Sequence, residues 1–315
     1  MNFKYWLYRR KWDFAPYWLP KFPIHLDIEL NSRCNLACNM CPHGEKPKNF
    51  PIGDMKWELV KELLYQGAGW FKDKDIPGAI LRPNCWFPKR AYSIKMNWRG
   101  EPTLYKRLPE AIDLAKELGY VDIMINTNGN YPDELNYHLG NLTTCIFSID
   151  SLKPEIYAKI RKHGDLELVL KNIKKMSTLH PNVKLVAQMR LQELNENEAD
   201  DFIKYFKQMG IEAKVGPAMQ RSEGNYVLGD LIAVGRKNCF MPWRRLLIDW
   251  KGNIYPCCCM WDGKYNLGNI KEKTLKEVWD KNTLSFIRRG LKTKIGFNYE
   301  PCKSCFSRES YVWKK

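Results

Sequence analysis

Cys34, Cys38 and Cys41 fall within the run Cys-Asn-Leu-Ala-Cys-Asn-Met-Cys. Three soft sulfur ligands this close can hold three corners of a 4Fe–4S cluster, and the fourth iron is then left without a protein ligand. A structural zinc ion is the competing reading. It asks for a fourth ligand close by, and His43 is poorly placed to serve. A second cysteine zone lies far downstream: Cys239, the triplet Cys257-Cys258-Cys259, and Cys302-Lys-Ser-Cys305. Four thiolates drawn from it would saturate a second 4Fe–4S cluster and leave it an electron carrier. The same ligands would also suit a zinc ribbon. Strand alternation puts Cys257 and Cys259 on one face and Cys258 on the other.

The elements that must position these thiols follow a regular grammar. An alternating apolar run over 24–30 predicts a strand that delivers the chain into the first cysteine loop. Strands are expected at 92–97, 121–126, 144–150, 183–191 and 211–215. Helical spacing falls between them at 55–66, 106–118, 132–139, 154–162, 166–179 and 196–209. Strands alternating with helices imply a parallel sheet with crossover helices. Six units fit a partial (β/α)6 TIM-like barrel in the α/β class, with the chemistry at the carboxyl ends of the strands. The cysteine loop, Gly100-Glu101-Pro102, Asn128, Ser148 and Asp150 all fall at such ends.

Around that barrel, 24–216, lie an arm at 1–23 that mixes aromatic and basic residues with Pro16, Pro20 and Pro23, and a glycine-bearing linker at 217–238. A small domain at 239–315 follows. In it, 245–257 reads as a β-hairpin turning at Gly252, and a helix is expected over 274–289. The stretch 67–90 is long for a connection and reads as a lid or local subdomain, where Arg82, Lys89 and Arg90 could meet an anionic substrate.

Composition bounds the rest. With 315 residues, 44% of them hydrophobic, the chain can bury a full core. Eleven cysteines is an odd number in a chain too long for a disulfide framework, and their clustering argues for metal in a reducing compartment. No apolar stretch reaches the length of a membrane span and no signal sequence is evident, so a cytoplasmic protein is expected. The net charge of +16 attracts phosphate, which keeps nucleic acid among the candidate partners.

The Cys-x3-Cys-x2-Cys spacing resembles the signature of the radical S-adenosylmethionine (SAM) superfamily. That resemblance implies that Cys34, Cys38 and Cys41 hold a catalytic 4Fe–4S cluster whose open iron chelates SAM. Gly100-Glu101-Pro102 is similar to the family's glycine–glycine–glutamate–proline motif, with Arg99 in place of the first glycine. It implies that Glu101 accepts hydrogen bonds from the SAM amino group, a sound pairing of carboxylate and ammonium. Asn128, Ser148 and Asp150 look like ribose-contacting positions. Gln188 and Arg190 share one face of their strand and would reach the SAM carboxylate or the substrate, and Met40 would pack near the adenine. Cys145, inside an apolar strand, is expected in the core, and Cys85 could donate hydrogen to a substrate radical, as in the family's peptide epimerases.

The second zone resembles the auxiliary-cluster domain called SPASM in its shortened "twitch" form, as in 2-deoxy-scyllo-inosamine dehydrogenase. By that resemblance Cys239, Cys257, Cys302 and Cys305 hold one auxiliary 4Fe–4S cluster, with Cys257 chosen by its spacing from Gly252 and the triplet open by one residue. The function implied is SAM cleavage followed by dehydrogenation or related C–H modification of a small polar, sugar- or nucleotide-like metabolite. A flavodoxin- or ferredoxin-like protein would donate the electron. Modification of a ribosomally made peptide, modification of nucleic acid, and a non-catalytic metal-binding scaffold are the other readings.

Overall fold

The computed structural model describes residues 3–15, 17–41, 51–72, 80–81, 90–219, 227–228, 231–236, 239–260, 263, 265–280, 282–293, 302, 305 and 309–313. Six parallel strands carry the first part of the chain. They are β1 (His25–Ile28), β4 (Ser93–Lys95), β5 (Asp122–Thr127), β6 (Thr144–Ser148), β7 (Lys184–Leu191) and β8 (Glu212–Met219). They pair in sequence order, as the expected partial barrel requires. The helices α2 (Trp57–Gly67), α3 (Leu108–Glu117), α4 (Pro154–Ile160), α5 (Leu166–Leu179) and α6 (Ala199–Gln208) lie between them.

Alternation divides the sheet into two unlike faces. Leu26, Ile28, Ile94, Met96, Ile123, Ile125, Cys145, Phe147, Ala187 and Met189 are buried in one core under the helices. Cys145 is therefore a core residue, as its apolar strand implied. The opposite, concave face carries Lys95, Met124, Asn126, Ile146, Ser148, Gln188 and Arg190, all half-buried. Register pairs them on three successive rungs of the sheet, Lys95 beside Met124, Asn126 beside Ile146 and Ser148 beside Gln188.

The second part of the chain joins the barrel sheet at its β1 edge. Strand β11 (Arg245–Ile248) pairs in parallel with β1, His25 opposite Arg245 and Ile28 opposite Ile248. β12 (Asn253–Tyr255) and β13 (Gly268–Asn269) extend that edge antiparallel. The expected hairpin is present, turning at Gly252, whose φ is +92°. Its first strand continues the barrel sheet, because β1 would otherwise expose an unpaired edge.

Four further stretches take more definite forms. The arm is a helix, α1 (Phe3–Phe14), fastened beneath the barrel by Tyr8, which packs with Ile24, Tyr92 and Trp243. The expected linker carries the end of β8, together with β9 (Val227–Leu228) and β10 (Leu231–Arg236). The last pairs with β14 (Glu309–Trp313). The single helix over 274–289 is two, α7 (Leu275–Trp279), opened by a Thr274–Glu277 capping box, and α8 (Asn282–Lys292). The stretch expected as helix over 132–139 is a 3₁₀ turn, Asp133–His138. A minimal hairpin, β2 (Phe71–Lys72) with β3 (Ile80–Leu81), lies in the long connection. Arg82, Cys85 and Lys89 fall outside the described residues. Arg90 donates to the Leu118 carbonyl, where α3 ends, so its guanidinium caps a helix.

Trp279 joins the two ends of the chain. Its ring is fully buried, its indole N–H donates to the Pro20 carbonyl at 2.7 Å, and the Arg288 guanidinium lies over it at 4.2 Å. Trp279→Ala should therefore lower the unfolding free energy by about 3–5 kcal/mol. Urea denaturation followed by circular dichroism measures it.

Candidate active site

Cys34, Cys38 and Cys41 stand on the loop after β1, with Cys38 buried and the other two half-buried. The loop is fastened to the barrel by its backbone: Ala37 and Asn39 donate their N–H groups to the carbonyls of Lys162 and Ile160 at the end of α4. Burial pushes the Cys34 thiol up to about 12, with Glu101, Cys38 and Cys41 adding to the rise. Burial raises Cys38 as well, against the pull of Arg161, whose guanidinium lies 3.7 Å from its sulfur. Three thiolates so placed repel one another unless a cation sits among them. The donor set therefore fits an iron–sulfur cluster, whose iron holds thiols deprotonated. Among the described residues, no three of His, Cys, Asp and Glu are gathered as tightly as a single metal ion asks.

Gly100-Glu101 follows β4 and meets the cysteine loop edge to edge. Glu101 N–H donates to the Arg33 carbonyl at 2.6 Å, and Asn31 Nδ2 donates to the Glu101 carbonyl at 2.9 Å. A Cβ on Gly100 would stand 2.3 Å from the Asn31 carbonyl oxygen and 2.7 Å from that of Arg33. Only glycine lets these two backbones approach so closely. The Glu101 carboxylate is buried, which raises its pKa, and four donors oppose the rise. Oε1 takes Thr103 N–H, Thr103 Oγ1 and Thr127 Oγ1; among the described residues Oε2 takes only Asn128 N–H. Oε2 thus keeps acceptor capacity that an ammonium group can use.

The remaining expected residues divide. Ser148, Gln188 and Arg190 lie on the concave face. Met40 stands beside Gln192, whose Nε2 donates to its sulfur at 3.8 Å. Asn128 and Asp150 are committed inside the protein. Asn128 Nδ2 donates to Asn35 Oδ1 at 2.8 Å and its Oδ1 takes the Asn130 N–H. Asp150 is fully buried, accepting from Arg161 Nε and Arg190 N–H, both at 2.7 Å. Arg161, which links Asp150 to Cys38, escaped sequence reasoning because no spacing marks it. The Thr127-Asn128-Gly129-Asn130 run was a visible signal for Thr127 and Asn130.

The auxiliary cysteines gather in two groups. Cys239 and Cys302 pack against the apolar cluster of Tyr8, Tyr92, Trp243 and Leu291. Cys257 and Cys258 pack against Leu247, Tyr255 and Met260. Cys259 Sγ lies 3.7 Å from Cys305 Sγ. Hydrogen bonds from Cys257 and Cys258 lower the Cys259 thiol to about 7. The contact drawn to the final cysteine pair is thus from Cys259, whereas glycine spacing had selected Cys257.

Between the two zones runs a buried bridge. Arg99, the residue in place of the motif's first glycine, forks onto Glu29 at 2.8 and 2.6 Å and lies 3.9 Å from Asp249. Its guanidinium stacks on Trp98 at 4.1 Å. The Trp98 indole N–H donates to the Cys258 carbonyl at 3.0 Å.

A parallel half-barrel that delivers three cysteines from its first strand, beside a buried carboxylate at the next strand end, is built to hold SAM on an iron–sulfur cluster. Residues 28–206 match the family model of the Radical SAM superfamily, and the chain belongs to that superfamily. Residues 239–306 match the iron-sulfur cluster-binding domain SPASM. Membership brings a SAM-binding 4Fe–4S cluster, and the second match brings auxiliary iron–sulfur binding. A probable GTP 3',8-cyclase of Methanocaldococcus jannaschii is 30% identical over 152 residues, which cover 48% of this chain and 44% of that protein. The chain spans about half the length of the curated relatives it matches first, between 33% and 60%. Among solved structures, BtrN in complex with AdoMet and 2-DOIA is similar, with a TM-score of 0.53, 18% identity, and coverage of 90% of this chain and 93% of that one. So is anSMEcpe with AdoMet and the Cp18Cys peptide, with a TM-score of 0.62, 17% identity, and coverage of 90% and 86%.

Removing Arg99 leaves Glu29 buried without its cation, which costs about 3–5 kcal/mol. Burial already raises Glu29 above its ordinary value, and Arg99 restrains the rise. In Arg99→Ala the folded protein should therefore hold the Glu29 proton more tightly still than the unfolded chain does. Stability then falls as pH climbs from the unfolded carboxyl value through the folded one. Urea unfolding at pH 5 and pH 8 should give the larger deficit, relative to the parent, at pH 8.

Proposed function

We propose that the protein is a radical SAM enzyme that oxidises, or otherwise modifies a C–H bond of, a small polar metabolite of sugar- or nucleotide-like character. One observation carries this reading. The concave face of the partial barrel carries half-buried Lys95, Asn126, Ser148, Gln188 and Arg190, and Asn126 Oδ1 is buried there with no hydrogen-bond partner among the described residues. A buried acceptor left unpaired is costly, and a ligand hydroxyl or amine would satisfy it. Small-molecule sites place a few convergent polar groups in a concavity of this kind.

Cys34, Cys38 and Cys41 would hold the first cluster, which when bound supplies the electron that splits SAM into methionine and a 5′-deoxyadenosyl radical. Glu101 Oε2 would orient the SAM ammonium, and Gly100 keeps the carboxylate against the cysteine loop. Cys239, Cys302, Cys305 and one cysteine of the 257–259 triplet would hold the second cluster, the electron carrier, with Cys259 favoured over Cys257 by its contact with Cys305. Lys95 and Arg190 supply positive charge for a phosphorylated or nucleotide-linked substrate. A flavodoxin- or ferredoxin-like partner would deliver the electrons.

Release of 5′-deoxyadenosine by the reduced, reconstituted protein tests this. Cell extract split into small-molecule, peptide and nucleic-acid fractions should stimulate it through the small-molecule fraction alone. Asn126→Leu should weaken that stimulation while leaving SAM binding intact. Stimulation confined to the peptide fraction, or abolished by nuclease, would overturn the substrate class. Alanine at both Cys302 and Cys305 should stop product formation and spare uncoupled SAM cleavage; normal product formation would remove the electron-carrier role.

A further inference from the structure

Helix α1 carries a surface that neither the half-barrel nor the cysteine zones use. Its inner side is committed: Tyr8 is buried, Lys11 donates to the Tyr92 hydroxyl at 2.6 Å, and Trp12 meets His25 edge-on at 5.9 Å. Its outer side is open and carries an aromatic stripe among charged residues. Phe3 and Trp6 stack at 5.9 Å, and the Arg10 guanidinium lies over Trp6 at 5.3 Å. Phe14 continues the stripe. A turn in which the N–H groups of Tyr17 and Trp18 both reach the Phe14 carbonyl then presents Tyr17, Trp18 and Leu19 beside it. Six of the thirteen exposed large apolar side chains among the described residues lie in this one segment, Tyr17 being 85% exposed. Lys4, Arg9, Arg10 and Lys21 surround them, and Asp13 is the segment's one acidic residue.

Aromatic side chains interleaved with Arg and Lys on a convex helical face match the water–bilayer boundary. There rings settle at headgroup depth and cations meet anionic lipid. A second copy fits this face poorly, since a two-fold contact would set the same cations against each other. Single-stranded nucleic acid is bound in a basic groove with stacking platforms, and this face is convex. Among the described residues no helix is long and apolar enough to cross a membrane, so the contact would be a surface one.

We propose that α1 and the 17–21 segment dock the protein on a bilayer surface bearing anionic headgroups. Because α1 packs on residues at the amino ends of β1 and β4, docking leaves the cysteine loop and Glu101, at the carboxyl ends, turned away from the lipid. The surface is thus a site of attachment, separate from the catalytic mouth.

Co-flotation of the full chain with phosphatidylcholine vesicles, with and without phosphatidylglycerol, tests the proposal. Binding should require the anionic lipid, weaken with added salt, and fall at least about tenfold in Trp6→Ala/Trp18→Ala and in Arg10→Glu. Both variants alter exposed side chains and should bind SAM as the parent does. Absence of binding to either vesicle would overturn the proposal, as would binding indifferent to both variants. So would a dimer that the variants dissociate, or capture by single-stranded nucleic acid that they abolish while vesicle binding is absent.

Discussion

A carboxylate buried at the end of a central strand must be paired or hydrogen-bonded, and Glu29 has Arg99. That pair fixes the end of β1, from which the cysteine loop departs, against the end of β4, from which Gly100 and Glu101 depart. Asp249 and the Trp250 backbone N–H bring the end of β11 to the same point. Three strand ends thus meet on one buried charge pair, one leading into the cysteine loop and one into Gly100-Glu101. The position where this chain departs from its family's glycine pair is the position that ties the parts together.

The same knot links the two cysteine zones. Trp98 faces Arg99 with its ring and the Cys258 carbonyl with its N–H, and Tyr255 reaches both the Trp98 ring, at 5.6 Å, and Asp249. A displacement of the auxiliary loop would therefore be felt at the Gly100 backbone, which has no room to yield. Buried polar groups of this kind act as a unit, each leaving the others unsatisfied when removed.

Much of this was legible in the amino-acid sequence, for local reasons. The Cys34–Cys41 spacing is a property of eight residues, and α5 begins and ends where its apolar period does because that period is strong. Asp165 caps it by accepting from the Leu168 N–H. What escaped was non-local or sat on a weak pattern. Nothing near Arg161 announces Cys38, and nothing near residue 245 announces β1. The aromatic and proline content of the first residues hid a helix, while the apolar stripe over 274–289 ran through a break between α7 and α8. Asn128 and Asp150 stand just past strand ends, but whether a polar side chain faces a ligand or a neighbour depends on partners that spacing does not encode.

The parallel pairing of residue 25 with residue 245 also sets an order of events during synthesis. A ribosome releases β1 and its cysteine loop long before β11 exists, so the half-barrel must wait with an open edge at its most loaded strand. Contacts of such sequence separation close slowly, and a waiting edge is prone to the wrong partner. Until β11 arrives, Glu29 lacks its Asp249-side neighbours and the first thiols stand on an unfinished scaffold. The first cysteine loop reaches its finished setting only after residue 248 has been made.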